Sequence, residues 1–126
     1  MDWQVRGIRG AITVPHNTPE AIQTATLELV EAVCTANHLQ PELIICAIFS
    51  VTPDLDAMFP AQAARSYPGW QYVPLLDVQQ MQVAGGLEKC IRLLVQVNSC
   101  KSQREINHVY LRGASHLRPD LLIPES

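Results

Sequence analysis

The pattern of apolar and polar positions divides the chain into alternating strands and helices. Residues 3–14 alternate imperfectly and predict an opening strand, with apolar side chains at Val5, Ile8, Ile12 and Val14. Gly7 and Gly10 lie inside this strand and indicate either a bulge or a close approach of another backbone. Either feature can turn Arg9 away from the regular face of the strand.

A long helix is predicted to follow and to run to about Asn37. Asn17 or Thr18 can cap its N-terminus, Pro19 suits the first turn, and Glu20 complements the helix dipole. One apolar stripe at helical spacing comprises Ile22, Ala25, Leu29, Val30 and Val33. This stripe is expected to cover one face of a sheet.

Four further strands and one short helix are predicted after the long helix. Residues 42–51 are almost wholly apolar, which is typical of a central strand buried on both faces, and residues 71–78 predict a second central strand. Residues 61–67 predict a short helix between these two strands. The last two strands are expected at residues 90–99, with alternation at Ile91, Leu93, Val95 and Val97, and at residues 106–114.

The predicted order, β-α-β-α-β-β-β, defines the fold class as α/β (α+β), with a mixed sheet and one long helix on one face. The length of 126 residues predicts a single domain, 1–126, in which residues from about 115 to 126 form a tail. The two prolines of this tail and its terminal position indicate mobility.

Composition narrows the class of protein. An apolar fraction of 48% with a charged fraction of 17% describes an ordered globular protein, and so low a charged fraction suggests that another subunit covers part of the surface. The net charge of −3 and the scattered lysines and arginines argue against a nucleic-acid partner. The four cysteines form no C-x-x-C pair, and no stretch has the length of a signal peptide or membrane span. These features predict a cytoplasmic protein that does not associate with a membrane and that needs no metal or cofactor.

The chain offers no nucleophile motif and no nucleotide loop, so an enzyme of this sequence would act by positioning and by static positive charge. Six segments follow one another along the chain: RGIRGA, TPDLDAMFPAQAAR, GWQYVPLLDVQQM, GGLEKCIRLLVQV, HVYL and LRPDL. Together they resemble the short, monofunctional chorismate mutase family of the Bacillus type. The resemblance extends from about Val5 to Leu121. It implies a homotrimeric pseudo-α/β barrel with active sites in clefts between subunits, in which chorismate rearranges to prephenate on the route to phenylalanine and tyrosine.

The resemblance also implies roles for individual residues. Arg92 would contact the ether oxygen and a carboxylate of the substrate, while Arg9 and Tyr110 would hold the side-chain carboxylate. The strand end would contact the substrate through Leu76, Asp77, Val78, Gln79 and Gln80. The neighbouring subunit would contribute Phe59, Ala61, Gln62 and Arg65, and the tail would help to close the site through Leu117 and Arg118.

Two positions depart from the family pattern. Gln80 stands where the family usually has a glutamate that accepts a hydrogen bond from the ring hydroxyl, and Gln62 stands where a lysine often binds carboxylate. A glutamine carbonyl oxygen can still accept a hydrogen bond. We therefore expect either Gln80 or Asp77 to make the hydroxyl contact, and we expect looser substrate binding unless Arg65 compensates for Gln62.

Two alternative functions remain open on the sequence. A catalytically weak relative that binds an aromatic-pathway metabolite is favoured by Gln80. An imine or enamine deaminase on a similar trimeric barrel would also place an arginine in a cleft between subunits, but it would need a water-orienting acid that the sequence does not reveal.

Overall fold

The five strands form one mixed sheet that carries both α-helices on the same face. The computed structural model describes residues 2–117, so Arg118 and most of the predicted tail lie outside the described residues. The strands are arranged in the order β3-β2-β4-β1-β5. In chain order the elements are β1 (Gln4–Thr13), α1 (Pro19–Asn37), β2 (Ile44–Val51), α2 (Pro60–Ala64), β3 (Leu75–Gln79), β4 (Cys90–Ser99) and β5 (Val109–Leu111).

This order confirms the predicted fold class and the sequence of elements. The strand β1 pairs antiparallel with β4 and parallel with β5, and β2 pairs parallel with β3 and antiparallel with β4. Three long strands, β2, β4 and β1, therefore form the antiparallel centre of the sheet, and the two short strands lie at its edges.

Helix α1 begins and ends where its local signals predict. The side chain of Thr18 caps the helix by accepting a hydrogen bond from the Ala21 amide at 3.2 Å, and Pro19 occupies the first turn. His38 ends the helix in a left-handed conformation with φ of 51°. All five residues of the predicted apolar stripe are buried.

The core lies between α1 and one face of the sheet, which we call the helix face. Alternate residues of β1 and β4 point into it as register pairs, for example Ile8 with Val95 and Ile12 with Ile91, and all four are fully buried. Gly10 allows the helix to come close, because a Cβ atom there would lie 3.1 Å from the side chains of Leu29 and Val33. The close-approach interpretation is therefore correct for Gly10.

Several details of the predicted strands are wrong. The pairing of β1 with β4 is regular, and the irregularity lies instead in β2, between Ile44 and Cys46. The strand β2 is buried on the helix face only, since Ile45, Cys46 and Ile48 remain partly exposed. The apolar run was typical of a strand covered twice, but within this chain the helices cover only one side.

The other differences concern the ends of elements. The strand β3 is an edge strand, not a central one, because only β2 pairs with it. The strand β5 has three residues where nine were predicted, and a 3₁₀ helix at Arg112–His116 follows it directly. Helix α2 ends at Ala64, after which the amides of Ser66 and Tyr67 bond to carbonyls three residues back and tighten the chain into turns. Among residues 2–117, no helix is long and apolar enough to cross a membrane.

Candidate active site

The face of the sheet opposite α1, which we call the open face, carries the two arginines that the sequence singles out. Arg92 of β4 lies between Ala11 of β1 and Ser50 of β2, which are its register partners on either side. Arg9 lies two residues before Ala11 in β1, and side chains two residues apart in a strand point to the same face of the sheet. Tyr110 of β5 is the register partner of Ala11, so four neighbouring strands present these side chains together.

A cleft of about 230 Å³ lies on this face, and we call it the arginine cleft. Its polar lining consists of Arg9, Arg92, Tyr110 and Ser50, and its apolar lining includes Ala11, Ile48, Leu94 and Leu117. The lining contains two guanidinium groups and no carboxylate. Within residues 2–117, the single ion pair shorter than 4 Å joins Arg112 to Glu28, which leaves the charges of Arg9 and Arg92 uncompensated by a nearby carboxylate. The cleft is therefore suited to an anion, although the whole chain is acidic.

Buried polar atoms in and beside this cleft lack hydrogen-bond partners. The Nε atom of Arg92, the hydroxyl of Tyr110 and the Oε1 atom of Gln80 are all buried without a partner among the described residues. Buried donors and acceptors are nearly always satisfied, because leaving one unsatisfied costs about 1–3 kcal/mol. Three such atoms on predicted site residues indicate groups that a ligand completes.

A second cleft, the loop cleft, lies beside the first and shares Arg92 with it. It has a volume of about 790 Å³ and is lined by the loop of residues 80–88 together with Thr52, Pro53 and Asp54. Gln80 lies at the beginning of this loop, where its amide donates to the Val51 carbonyl at 2.8 Å. Arg92 thus stands at the boundary between the cleft of Tyr110 and the cleft of Gln80.

The same loop contains the tight turn that Gly85 and Gly86 predict. The amide of Gly86 bonds to the carbonyl of Val83 at 3.0 Å, and Gly85 has a φ of 81°, which a glycine adopts without strain. Cys90, at the start of β4, packs with Ala11, Tyr110 and Ala114, and burial raises the pKa of its thiol despite the opposing charge of Arg92. Cys90 therefore acts as a packing residue under the cleft.

Backbone contacts hold Arg9 and Tyr110 beside each other. The amide of Arg9 donates to the Nδ1 atom of His108 at 2.9 Å. The neighbouring Asn107 makes three hydrogen bonds to the end of α1, two with the side chain of Asn37 and one to the carbonyl of Ala36. These contacts fix the short strand β5, and hence Tyr110, against β1.

The remaining predicted site residues do not lie in the arginine cleft. A third cleft of about 760 Å³, the edge cleft, is lined by Phe59, Gln62, Asp77, Val78 and Gln79. Ala61 is buried and Arg65 is exposed in and just after α2, while Leu76 is exposed on the open face of β3. Phe59 is 68% exposed, a high value for a phenylalanine. Within one chain, the predicted site is therefore divided into two separate groups.

Asp77 and Gln80 belong to different groups. The alternation of β3 directs the side chain of Asp77 to the helix face. Its carboxylate accepts a hydrogen bond from the Ala61 amide at 3.0 Å and so caps the N-terminus of α2. Burial raises the pKa of Asp77, and the Ala61 amide and the charge of Arg65 offset this effect only in part. The carboxylate of Asp77 is thus occupied by α2, while the side-chain oxygen of Gln80 has no partner within residues 2–117.

Ser50, Ile48 and Leu94 line the arginine cleft but were missed by the sequence analysis. The available signal was the strand alternation. Once Arg92 is assigned to the open face, every second residue of β4 and its register partners on β2 must face the same way. Ser50, the one polar residue in the run AIFSV, is the position at which that reasoning would have identified a site residue.

Comparison with known proteins shows the family to which the chain belongs. Residues 5–121 match the family model of chorismate mutase type I. The chain is 47% identical to the chorismate mutase AroH of Bacillus subtilis over 122 residues, covering 97% of this chain and 96% of the relative. It is 50% identical to the chorismate mutase AroH of Thermus thermophilus over 118 residues, covering 93% of this chain and 96% of the relative.

A solved structure of a chorismate mutase from Clostridium thermocellum has a similar fold. It superposes with a TM-score of 0.83 at 46% sequence identity, covering 86% of this chain and 96% of that chain. The match of the family model and the full-length identities agree with the cationic cleft on the open face: the chain belongs to the type I chorismate mutase family.

Proposed function

We propose that the chain is a chorismate mutase, an isomerase that converts chorismate to prephenate. The observation that carries this proposal is the pair of guanidinium groups in the arginine cleft, which form no ion pair within residues 2–117, next to a buried tyrosine hydroxyl that has no partner among the same residues. Chorismate is a dicarboxylate, and its rearrangement is concerted and unimolecular. It requires no nucleophile, proton transfer or metal from the protein.

The chemistry follows from where charge develops. As the ether C–O bond lengthens, its oxygen gains negative charge, and a cation beside that oxygen stabilises the transition state more than the ground state. Arg92 is the group proposed for this role, because it lies at the centre of the sheet and at the boundary of two clefts. Arg9 and Tyr110 would grip a carboxylate and hold the substrate folded, which lowers the entropic part of the barrier.

Gln80 is the proposed acceptor for the ring hydroxyl. Its Oε1 atom is buried without a partner beside Arg92, whereas the carboxylate of Asp77 already caps α2 on the other face. A neutral acceptor also avoids the repulsion that a carboxylate would exert on a dianion. Comparison of Gln80→Ala with Asp77→Ala tests this assignment. A larger loss of kcat/KM in Gln80→Ala supports it, and the reverse order contradicts it.

The activity itself is tested by following the loss of chorismate absorbance with purified protein and identifying the product as prephenate. The wild type should convert chorismate, and Arg92→Ala should fold but turn over poorly. Absence of turnover together with tight binding of a bicyclic transition-state mimic would favour the metabolite-binding alternative, which Gln80 keeps open. The deaminase alternative loses its support, because the mutase family model matches residues 5–121 continuously.

We further propose that the active unit is a homotrimer whose sites each combine two chains. Support comes from the separation of the arginine and edge clefts within one chain, and from apolar residues exposed beside them, including Phe59, Leu76 and Val78. An open face that also exposes Leu94 is suited to association with a second copy. On this proposal, Phe59, Ala61, Gln62 and Arg65 of one chain face Arg9, Arg92 and Tyr110 of the next. Leu117 and Arg118 would close over the substrate.

Subunit complementation provides a sharp test of the shared site. Arg92→Ala removes a residue of one half-site, and Arg65→Ala removes a residue of the other. If each site combines two chains, mixed trimers of the two variants contain some sites with both arginines, and activity should return on mixing after dissociation and reassembly. Activity equal to the average of the separate variants would contradict a shared site, as would a monomer in light scattering. The proposed setting for this activity is cytoplasmic synthesis of phenylalanine and tyrosine, without a cofactor.

A further inference from the structure

A polar network outside the proposed substrate contacts holds the start of β4, two residues before Arg92. Its centre is the hydroxyl of Thr52, which accepts a hydrogen bond from the Cys90 amide at 3.0 Å and donates one to the Oδ1 atom of Asp54. Both carboxylate oxygens of Asp54 accept from the Lys89 amide, at 3.1 and 2.9 Å. Two successive amides are thus held by two side chains from the segment that follows β2.

The backbone at Lys89 needs such support. Its φ of 45° lies in the left-handed region, which costs a residue with a side chain about 1–2 kcal/mol. The carbonyl of Lys89 accepts from the Val14 amide at 2.7 Å, and the Thr52 amide donates to the Cys90 carbonyl at 3.1 Å. Contacts from the ends of β1 and β2 therefore confine residues 89 and 90 from both sides.

The network replaces the sheet pairing where that pairing stops. The last register pair of β2 with β4 is Val51 with Ile91, next to the pair of Ser50 with Arg92. Beyond it the Thr52 amide still donates to the Cys90 carbonyl, but the amides of Cys90 and Lys89 are bonded to the side chains of Thr52 and Asp54. Without Thr52 and Asp54, the amides of Lys89 and Cys90 would lose their partners on the β2 side of the strand, while β4 would remain paired with β1 as far as Cys90.

We propose that Thr52 and Asp54 are positioning residues that fix the direction of the Arg92 guanidinium. The inference rests on the proposed function, because Arg92 is the cation assigned to the reacting ether oxygen. Asp54 lines the loop cleft with Gln80 and Arg92, but both its oxygens are engaged by Thr52 and Lys89. Its role is therefore to hold backbone and not to contact substrate.

The charge state of Asp54 is consistent with this role. Partial burial raises the pKa of its carboxyl, but the hydrogen bonds from Thr52 and Lys89 outweigh burial and hold the pKa below its usual range. The carboxylate is therefore ionised at any ordinary assay pH and remains a strong acceptor for the Lys89 amide.

Glu105 provides a matched control outside the clefts. Its carboxylate also accepts a backbone amide, that of Ser102 at 2.9 Å, and hydrogen bonds with Ser102 likewise lower its pKa. It belongs to the 3₁₀ helix at Gln103–Glu105, on the opposite side of β4 in sequence from Lys89. Glu105→Gln is therefore the control for Asp54→Asn, because each variant replaces a carboxylate that accepts a backbone amide with a neutral amide oxygen, and Glu105 lies outside the clefts.

The experiment compares kcat and KM for the wild type, Asp54→Ala, Asp54→Asn, Thr52→Val, Thr52→Ser and Glu105→Gln. A misdirected Arg92 should lower kcat by roughly 10-fold to 100-fold with a much smaller change in KM, since displacements of about 1 Å can have effects of this size. Asp54→Ala and Thr52→Val should show that loss. The asparagine and serine variants should recover most of the rate, because an amide oxygen and a hydroxyl preserve the bonds. Glu105→Gln should match the wild type.

Binding of a bicyclic dicarboxylate that mimics the folded transition state gives a second readout. Asp54→Ala should weaken its binding in the wild-type background and leave binding unchanged in the Arg92→Ala background, because Asp54 acts through Arg92. Equal weakening in both backgrounds would overturn the proposal. So would a normal kcat in folded Asp54→Ala and Thr52→Val, which would reduce the network to a role in stability.

The result for the wild type distinguishes failure of this inference from failure of the proposed function. A wild type that neither converts chorismate nor binds the mimic rejects both. An active wild type whose Asp54→Ala variant keeps its kcat rejects only the positioning role.

Discussion

The two faces of the sheet use the same strands for different purposes. On the helix face, Ile91, Leu93 and Val95 of β4 are almost fully buried against the core. On the open face, Arg92 lies between them in sequence and lines two clefts, and its buried Nε atom has no partner among the described residues. One strand thus alternates between residues that stabilise the fold and residues available to a ligand or a second chain.

This comparison shows where each kind of substitution should act. Changes on the helix face remove packing from a core that α1 completes within one chain. Changes on the open face remove groups, such as the Nε atom of Arg92 and the hydroxyl of Tyr110, that have no partner within residues 2–117. The first kind should change the free energy of unfolding with little effect on turnover, and the second kind should do the opposite.

The largest expected effect on turnover is that of Arg92→Ala. Removing a well-aimed donor at a developing oxyanion typically costs about 10²–10³-fold in rate, and we expect at least that loss in kcat. The midpoint of thermal unfolding should stay close to that of the wild type, because the Nε atom has no partner within residues 2–117 to lose. Chorismate turnover and calorimetry measure the two quantities. A variant with near-normal kcat would remove Arg92 from the reaction.

Tyr110→Phe should separate binding from stability. The hydroxyl is buried without a partner among the described residues, so its removal should leave the free energy of unfolding unchanged or slightly higher. Loss of a hydrogen bond to a charged carboxylate costs about 1.5–3 kcal/mol, which corresponds to roughly 10-fold to 100-fold weaker substrate binding. Titration with the transition-state mimic measures this effect. Unchanged affinity would place the substrate carboxylate elsewhere.

Ile91→Val is the matched change on the helix face, one residue from Arg92. The side chain is fully buried in the main core, and loss of one methylene there should lower the free energy of unfolding by about 0.5–1.5 kcal/mol. Because the side chain points away from the clefts, kcat and KM should remain at their wild-type values. Urea unfolding together with kinetics tests this. A fall in kcat without a fall in stability would show that the two faces are not independent.

The parts of the fold that follow from local sequence were predictable. Thr18 and Pro19 mark the start of α1, and the stripe from Ile22 to Val33 defines its buried side. The alternation of β4 is visible because its helix face is apolar at every second position. These signals depend only on residues close together in the chain, so one sequence contains them.

The burial of β2 and β3 was not predictable in the same way. An apolar strand requires cover, but its sequence does not distinguish a helix of its own chain from a second copy of the protein. For this reason, residues 42–51 seemed buried on both faces, although Ile45 is 39% exposed here. Pairing order is likewise a long-range property, so residues 71–78 indicated a strand but not its position at the edge of the sheet.

The candidate site also has residues that the sequence identified and residues that it did not. The resemblance to the mutase family identified Arg9, Arg92 and Tyr110, and the structure brings these three together. Their roles remain a proposal, as do those of Phe59 and Gln62 in the edge cleft. Thr52 and Asp54 were not identified from the sequence, because their contact with residues 89 and 90 spans more than thirty positions of the chain.

The smallest expected effect concerns Asp77, which lies at the junction of the two faces. Burial raises its pKa above the usual aspartate value, so the folded chain binds this proton more strongly than the unfolded chain does. The contribution of Asp77 to stability is therefore fully present below the ordinary pKa of about 3.9, and it is lost as the pH rises through the raised value.

In Asp77→Asn, the amide oxygen can still accept from the Ala61 amide, but the group no longer titrates. The variant should differ from the wild type by at most about 0.5 kcal/mol near pH 7, and its stability should depend less on pH in the range above the ordinary aspartate pKa of about 3.9. Urea unfolding at several pH values tests this expectation. A large loss of kcat/KM in Asp77→Asn at neutral pH would instead show that its carboxylate reaches the substrate, and Gln80 would then lose its proposed role.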